Sequence, residues 1–174
     1  MSILVTGGMG YIGSHTCVEL LNAGREVVVA DNLSNSSEEA GNRVRQITGK
    51  PVKFYQIDLR DRPALDRVFE ENSIDAVLHF AGLKAVGESV SMPLEYYDNN
   101  LGAAITLCGS MRAHGVKKIL FSSSATVYDI GKELPLSETS PRGNCTNPYS
   151  WSKYMVEQIL RDTAKADPEW SVML

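Results

Sequence analysis

Two stretches of the sequence carry residues whose types and spacing suit redox chemistry on a hydroxyl group. Gly7, Gly10 and Gly13 recur at three-residue spacing near the N-terminus, and Tyr149 precedes Lys153 by four residues. Glycines let backbone amides approach a pyrophosphate closely, which makes the first stretch a candidate dinucleotide loop. A tyrosine phenol can transfer a proton to and from a hydroxyl, which makes the second stretch a candidate acid/base pair.

The Tyr149–Lys153 pair has a second interpretation as an ordinary surface pair. If residues 148–165 are helical, the two side chains lie on one face, because residues four apart are neighbours on a helix. A phenol with a pKa near ~10 is a poor base at neutral pH, and a nearby ammonium group favours the phenolate. The spacing alone is common, but its position after a dinucleotide loop favours the catalytic interpretation.

Three consecutive serines, Ser122, Ser123 and Ser124, end a predicted strand shortly before this pair. A hydroxyl at such a strand end can meet a substrate oxygen, and Ser124 is the candidate third member of the catalytic group. For Ser122 and Ser123, hydrogen bonds to the loop backbone are an equally good explanation.

The glycine loop has the context that a dinucleotide site requires. A strand precedes it, a helix follows it, and Asp31 lies 18 residues beyond Gly13 at the end of the next strand. A carboxylate there can accept hydrogen bonds from the adenosine ribose and repels a 2′-phosphate, which favours NAD over NADP. A tight turn followed by a solvated aspartate is the alternative.

The elements that must position these residues alternate along the chain. The sequence predicts strands at 3–6, 26–30, 52–57, 74–80, 118–122 and 170–174, with helices at 11–22, 36–48, 63–72, 93–111 and 148–165. Ser36 or Ser37 is the predicted cap of the second helix. This alternation predicts an α/β fold, a Rossmann-type doubly wound parallel sheet, with ligands at the carboxyl ends of the strands. A long loop at 129–147 lies near the expected site.

The composition is that of a globular chain without a polyanion-binding surface. Hydrophobic residues make up 43%, and 17 basic against 21 acidic residues give a net charge of −4. We therefore expect no nucleic-acid and no membrane partner. The three cysteines lack metal-ligand spacing, so we expect no metal site and a reduced, cytoplasmic protein.

These residues resemble the extended short-chain dehydrogenase/reductase family, and within it the nucleotide-sugar 4-epimerases. The family pattern T-G-G-x-G-Y-I-G is matched at 6–13 and Y-x-x-x-K at 149–153. Further similar segments lie at 31–36, 80–89, 93–100 and 122–128. The resemblance runs along the whole chain but covers only the N-terminal half of the family's length. It implies an NAD-binding Rossmann domain at 1–174, incomplete at its C-terminal end and without the nucleotide-sugar-binding region.

The resemblance also implies which residues meet the cofactor and the sugar. Ser124 and Tyr149 would hold the 4-hydroxyl of the sugar, and Lys153 the nicotinamide ribose. The residues expected to contact NAD, besides Tyr149 and Lys153, are Gly7, Gly10, Tyr11, Ile12, Gly13, Asp31, Asn32, Leu33, Ser34, Asn35, Ser36, Asp58, Leu59, Phe80, Ala81, Gly82, Leu83, Lys84 and Asn99.

The implied reaction is the interconversion of UDP-glucose and UDP-galactose, with a UDP-hexose as substrate. Tyr149 removes the 4-hydroxyl proton while C4 is oxidised by bound NAD, and the keto sugar turns over before it is reduced on its opposite face. The family also implies a homodimer through the helices near 93–114 and 148–165.

Two alternatives stay open at this point. The chain can be a truncated NAD-binding fragment without catalysis. It can also be a nucleotide-sugar 4,6-dehydratase, although related dehydratases carry an Asp-Glu pair where this chain has Ala125 and Thr126. Without those acids, the elimination of water lacks its acid/base groups.

Overall fold

The computed structural model describes residues 1–129 and 134–174 as an alternation of strands and helices. The strands of the described residues are β1 (Ser2–Thr6), β2 (Glu26–Asp31), β3 (Lys53–Gln56), β4 (Ile74–His79), β5 (Lys118–Phe121) and β6 (Ser171–Met173). The α-helices are α1 (Tyr11–Asn22), α2 (Glu39–Thr48), α3 (Arg62–Glu70), α4 (Val86–Ser91), α5 (Pro93–Ala113) and α6 (Pro148–Ala166). Of the predicted loop at 129–147, residues 130–133 lie outside the described residues.

All neighbouring strands are parallel, in the order β3-β2-β1-β4-β5-β6. This order confirms the predicted Rossmann-type sheet. Because the strands are parallel, their carboxyl ends meet at one edge of the sheet, with the change of winding direction between β1 and β4. The glycine loop, the end of β2 and the serines after β5 are therefore brought to one edge.

The central strand is buried because helices cover both faces of the sheet. Every residue of β1 is buried, and alternate side chains point to opposite faces. Ile3 and Val5 pack with Cys17 of α1 and Val44 of α2, whereas Leu4 joins the cluster formed with α3, α5 and α6. Each such aliphatic side chain contributes roughly 1.5–3 kcal/mol by its burial.

Two local predictions about the helices were wrong. The short helix α4 was not predicted, because its six residues are too few to show a helical period before Pro93 starts α5. The predicted cap of α2 is displaced: the N-cap is Glu38, and the hydroxyl of Ser36 instead donates to Asp31 at 2.9 Å. A buried carboxylate thus takes one of the two candidate serines, whereas the hydroxyl oxygen of the other, Ser37, accepts a hydrogen bond from the N–H of Glu39 at 3.3 Å at the start of α2.

The three cysteines are free in the structure. Burial raises the pKa of the Cys17 thiol to about 12 and that of Cys108 to about 11, so both thiols stay protonated and pack as small core side chains. Within the described residues, no helix combines the length and the apolar character that crossing a membrane requires. The cytoplasmic location stays a prediction.

Candidate active site

The loop between β1 and α1 is built from glycines that leave no room for side chains. A Cβ added to Gly13 would lie 2.2 Å from the carbonyl oxygen of Gly7, so α1 could not approach the loop as closely as it does. Gly7 itself has a φ of 70°, and a Cβ there would lie 2.6 Å from the backbone nitrogen of Ala81. The close approach of the loop to β4 and α1 therefore depends on glycine at both positions.

The N-terminus of α1 opens onto a cavity of about 350 Å³. Its N-cap, Gly10, provides no side-chain hydrogen bond, so among the described residues no side chain caps the first turn of this helix. The exposed side chains of Tyr11 and Ile12 border the cavity beside that turn. Unpaired N–H groups and the positive end of the helix dipole make such a terminus suited to a phosphate.

Most of the residues expected to contact a dinucleotide line this cavity. They are Gly7, Gly10, Tyr11, Ile12, Gly13, Asp31, Asn32, Ser34, Asn35, Asp58, Leu59, Phe80, Ala81, Gly82, Leu83, Lys84 and Asn99. Leu33, Ser36, Tyr149 and Lys153 are not among the lining residues, and neither is Ser124. The cavity thus follows the carboxyl ends of β1, β2, β3 and β4, as the fold predicts.

Sequence reasoning missed four lining residues, Ala30, Ile57, Ala103 and Ser122. Ala30 and Ile57 each precede a predicted contact residue at a strand end, and Ala103 lies one helical turn after Asn99. Strand-end position and four-residue spacing on α5 are signals that could have found three of them. Ser122 is reached because the chain turns away from the sheet directly after β5.

Asp31, at the end of β2, organises the loop around it. It is 7% exposed, and its Oδ2 accepts a hydrogen bond from the backbone N–H of Met9 at 2.9 Å. Its Oδ1 accepts from the N–H of Leu33 and from the hydroxyl of Ser36, both at 2.9 Å. Leu33 and Ser36 therefore shape the turn after β2 without lining the cavity themselves. A carboxylate has about four acceptor positions, so one remains for a ligand.

Asp58, after β3, is held by Arg60. The guanidinium donates to Asp58 through Nε and Nη2, at 3.0 and 2.6 Å to the nearest carboxylate oxygens, and its Nη1 pairs with Asp98 of α5. The hydrogen bond from Arg60 lowers the pKa of the Asp58 carboxyl and outweighs the opposing effect of burial. Asp58 thus stays an acceptor at the end of the cavity formed by β3.

A buried asparagine behind the site fixes the wall formed after β4. The side-chain nitrogen of Asn100 donates to the carbonyl of Leu83 and to Ser152 Oγ, at 3.0 and 2.9 Å. Its oxygen accepts from the N–H of Leu83 at 2.8 Å and from the side chain of Asn99 at 3.0 Å. Ser152 in turn donates to the carbonyl of Tyr149 at 2.7 Å. Asn100 therefore connects the cavity wall, α5 and the first turn of α6.

Lys153 lies on α6 with its charge turned towards the end of β5. Its Nζ donates to the carbonyl of Ser122 at 2.8 Å and sits 4.6 Å from the ring centre of Phe121. Burial lowers the pKa of the Lys153 ammonium group to about 8. Since Ser122 lines the cavity, the ammonium group stands at the border of the cavity although Lys153 does not line it.

Tyr149 and Ser124 lie at the same end of the molecule. Pro148 occupies the first turn of α6, whose N-cap Asn147 accepts a hydrogen bond from Ser150, so that Tyr149 begins the helix. Ser124 is the N-cap of a 3₁₀ turn at Ala125–Val127, and its Oγ accepts from the hydroxyl of Thr126 at 3.0 Å. The Ser124 proton therefore remains available for another acceptor. The roles of Tyr149 and Ser124 stay predictions.

His79, at the end of β4, is a buried core residue. Its Nδ1 lies 2.7 Å from Thr6 Oγ1, and its ring stacks on Phe121. Burial, together with the nearby positive charge of Lys153, lowers the pKa of His79 to about 3. In residues 1–129 and 134–174, no cluster of three or more His, Cys, Asp or Glu side chains suits a metal ion.

Known proteins resemble this chain over its whole length. UDP-glucose 4-epimerase from Bacillus subtilis (strain 168) is 65% identical over 174 residues, which is 100% of this chain and 51% of that protein. The enzyme of the same name from Haemophilus influenzae is 60% identical, again over 100% of this chain and 52% of the relative. The chain thus spans about half the length of the curated relatives that it matches.

A solved structure and a family profile agree with these relatives. The crystal structure of UDP-glucose 4-epimerase from Bifidobacterium longum, in complex with NAD+ and UDP, superposes with a TM-score of 0.98 at 59% identity, over 99% of this chain and 51% of that one. The profile of the NAD dependent epimerase/dehydratase family matches residues 3–174. With the glycine loop, the cavity and the α6 pair now placed, this chain belongs to the NAD dependent epimerase/dehydratase family.

Proposed function

We propose that this chain is the cofactor-binding half of an enzyme that interconverts UDP-glucose and UDP-galactose through oxidation at C4 of the sugar. The observation that supports the proposal is the position of Lys153, one turn after Tyr149 on α6, beside the cavity that begins at the glycine loop. Lys153 Nζ bonds Ser122, a lining residue of that cavity. The names of the relatives and the NAD+ and UDP in the Bifidobacterium longum structure support the same cofactor and substrates.

The residues around the cavity fit NAD. The uncapped first turn of α1 offers backbone N–H groups to a pyrophosphate, and glycine at Gly7 and Gly13 leaves the space for it. Asp31 keeps one acceptor position for the adenosine ribose, and its charge disfavours a 2′-phosphate. Asp58 would accept a hydrogen bond at the adenine end. When bound, NAD supplies an acceptor that takes two electrons and a hydrogen from C4 and returns them.

Tyr149 would remove the proton of the sugar 4-hydroxyl and later give it back. Ser124 would donate its free hydroxyl proton to the same sugar oxygen, because its own Oγ already accepts from Thr126. Proton transfer by a positioned side chain typically accelerates a reaction by ~10²–10⁴. The 4-keto sugar formed between the two transfers must turn over before C4 is reduced on its opposite face and the proton returns to the oxygen.

Lys153 would provide the positive charge that favours the phenolate of its neighbour. With a pKa of about 8, its ammonium group is mostly protonated at pH 7. The carbonyl of Ser122 and the ring of Phe121 occupy part of its surroundings, and an ammonium group has three N–H donors. A remaining donor is available for the nicotinamide ribose.

The test is an assay of the complete open reading frame that encodes these residues. The purified product should contain NAD and convert UDP-galactose to UDP-glucose without added cofactor. Bound NAD with no interconversion of the two sugars would reject the proposal. A 4-keto-6-deoxy sugar product would identify a dehydratase instead, which the residues Ala125 and Thr126 in the 3₁₀ turn disfavour.

The assay of the complete open reading frame also tests an NAD-binding module without turnover, which would retain NAD and convert neither sugar. A homodimer through α5 and α6 also stays a proposal. Exposed Ile105 and Met155 on these helices support it, and the mass in solution tests it.

A further inference from the structure

We propose that Glu157 is a positioning residue of the active site, which acts through Ser123 to hold the serines after β5 against α6. The inference rests on the proposed function, because it assigns a role in the same reaction. Glu157 is 5% exposed, and neither the glycine loop nor the Tyr149–Lys153 spacing points to it. It lies one helical turn beyond Lys153.

The contacts of Glu157 satisfy both of its carboxylate oxygens. Oε1 accepts the hydroxyl proton of Ser123 at 2.5 Å, and Oε2 lies 3.2 Å from Arg142 Nη1. Arg161 Nη2 lies farther away, 3.7 Å from Oε2, on a side chain that is 43% exposed. A buried carboxylate is costly unless it is paired and hydrogen-bonded, so the burial of Glu157 requires these partners.

Side chains from two consecutive turns of α6 form hydrogen bonds with two consecutive residues after β5. Lys153 Nζ bonds the carbonyl of Ser122, and Glu157 Oε1 bonds the hydroxyl of Ser123. Tyr149, Lys153 and Glu157 follow one another at four-residue spacing and therefore share one face of the helix. Ser124 directly follows Ser122 and Ser123, so these two hydrogen bonds set the position of Ser124 relative to Tyr149.

Arg142 connects Glu157 to the segment that leads into α6. Residues around it pair with the end of the 3₁₀ turn and the residues after it: the N–H of Gly143 donates to the carbonyl of Val127 at 3.0 Å, and the N–H of Asp129 to that of Pro141 at 2.9 Å. Through Arg142, Glu157 is joined to this paired segment, which continues to Asn147 at the start of α6. The carboxylate of Glu157 thus holds two chain segments in place, the serines after β5 and the segment before α6, and both lie beside the proposed acid/base group.

The role follows from geometry and not from the charge of Glu157 acting on Lys153. The lowered pKa of the Lys153 ammonium group is caused by burial. A glutamine at 157 keeps an oxygen that can accept the Ser123 hydroxyl. The conservative variant E157Q is therefore expected to restore what E157A loses, although it weakens the contact with Arg142.

The experiment compares S123A, E157A, E157Q and the double variant S123A/E157A in the complete open reading frame. Misplacement of a catalytic group by about 1 Å can cost ~10²-fold in rate. We expect kcat to fall about 10- to 100-fold in S123A and E157A on this basis, with KM for UDP-galactose and NAD content close to wild type. E157Q should recover most of kcat, and the double variant should be no slower than E157A, because both changes break one contact. R161A is the matched control and should keep the wild-type kcat, since its contact is long and exposed.

The outcomes separate this inference from the proposed function. An inactive wild-type protein that binds NAD contradicts the proposed function itself. An active wild type whose S123A variant keeps its kcat contradicts only the positioning role. Losses of kcat that merely follow the melting temperature or the NAD content, without rescue by E157Q, show that Glu157 stabilises the fold and also overturn the inference.

Discussion

Lys153 and Ser122 join the helix of the proposed acid/base group to the wall of the cofactor cavity. The ammonium nitrogen of Lys153 lies 2.8 Å from the carbonyl oxygen of Ser122, and Ser122 lines the cavity. The contact spans 31 residues of sequence and brings α6 to the end of β5. It fixes the position of a buried ammonium group beside the cavity of the proposed active site.

Activity should depend on the proton of Lys153. Burial lowers the pKa of this lysine to about 8, so kcat of the full-length enzyme should fall as pH rises above about 8. The variant K153M should retain less than about 1% of kcat, from the loss of acid/base assistance, and should lack this dependence. A wild-type kcat that stays constant from pH 7 to pH 10 would contradict the assignment.

The contribution of Lys153 to the stability of the protein should rise with pH over the range in which kcat falls. From the lowered folded pKa of about 8 up to the ordinary value of 10.5, the unfolded chain keeps a proton that the folded chain loses. The Lys153 contribution to the free energy of unfolding therefore rises with pH across this window. Denaturant unfolding of wild type and K153M at several pH values measures it. Equal pH slopes in the two proteins would contradict the prediction.

Replacing Asp31 should damage the loop before it changes cofactor preference. Its carboxylate accepts hydrogen bonds from the N–H groups of Met9 and Leu33 and from the hydroxyl of Ser36. D31A leaves a buried N–H of Met9 unpaired, and we expect a loss of about 1–3 kcal/mol in the free energy of unfolding. NAD affinity should fall and NADP affinity should not rise. A variant of wild-type stability that prefers NADP would show that Asp31 only screens the 2′-phosphate.

Two glycine substitutions form a matched pair. G13A places a Cβ 2.2 Å from the Gly7 carbonyl, so α1 must move and the loop must open. We expect a loss of roughly 3–5 kcal/mol and of bound NAD. At Gly87 in α4, a Cβ meets none of the described residues within 4 Å, so G87A should retain stability and NAD. Thermal unfolding and the NAD content of both variants test the pair, and equal behaviour would contradict the close packing at Gly13.

Substitution of Asn100 should destabilise the fold strongly, although Asn100 does not line the cavity. N100L leaves the N–H and carbonyl of Leu83 without their partner, and we expect a loss of about 2–5 kcal/mol in the free energy of unfolding. S152A breaks only the hydrogen bonds of one hydroxyl and should lose about 1 kcal/mol. Chemical denaturation measures both. A smaller loss in N100L than in S152A would contradict the central role of Asn100.

The sequence predicts the fold and those parts of the site whose residues lie close together in the chain. The strand order follows from the alternation of strands and helices together with right-handed crossovers. The glycine loop before α1 and the α6 pair follow from motifs of a few residues, and the family resemblance is confirmed. Asn100 and Glu157 escaped prediction because their partners lie 52 and 34 residues away, at Ser152 and Ser123. Such contacts depend on how α5 and α6 pack, which no local pattern encodes.

The turn after β2 shows the same limit at shorter range. Ser36 could cap α2 or bond Asp31, and the sequence cannot rank the two. In the structure Ser36 bonds the buried carboxylate of Asp31, and Ser37 accepts from the N–H of Glu39 at the exposed start of α2, so the two neighbouring serines divide the two roles.

The proposed reaction requires the phenol of Tyr149 to transfer the proton of the sugar 4-hydroxyl. The most direct measurement is kcat for UDP-galactose conversion by Y149F in the complete open reading frame, with NAD content determined on the same sample. We expect kcat to fall ~10²–10⁴-fold, the usual contribution of a positioned acid/base group, with NAD still bound. Wild-type turnover in Y149F with a full complement of NAD would contradict it.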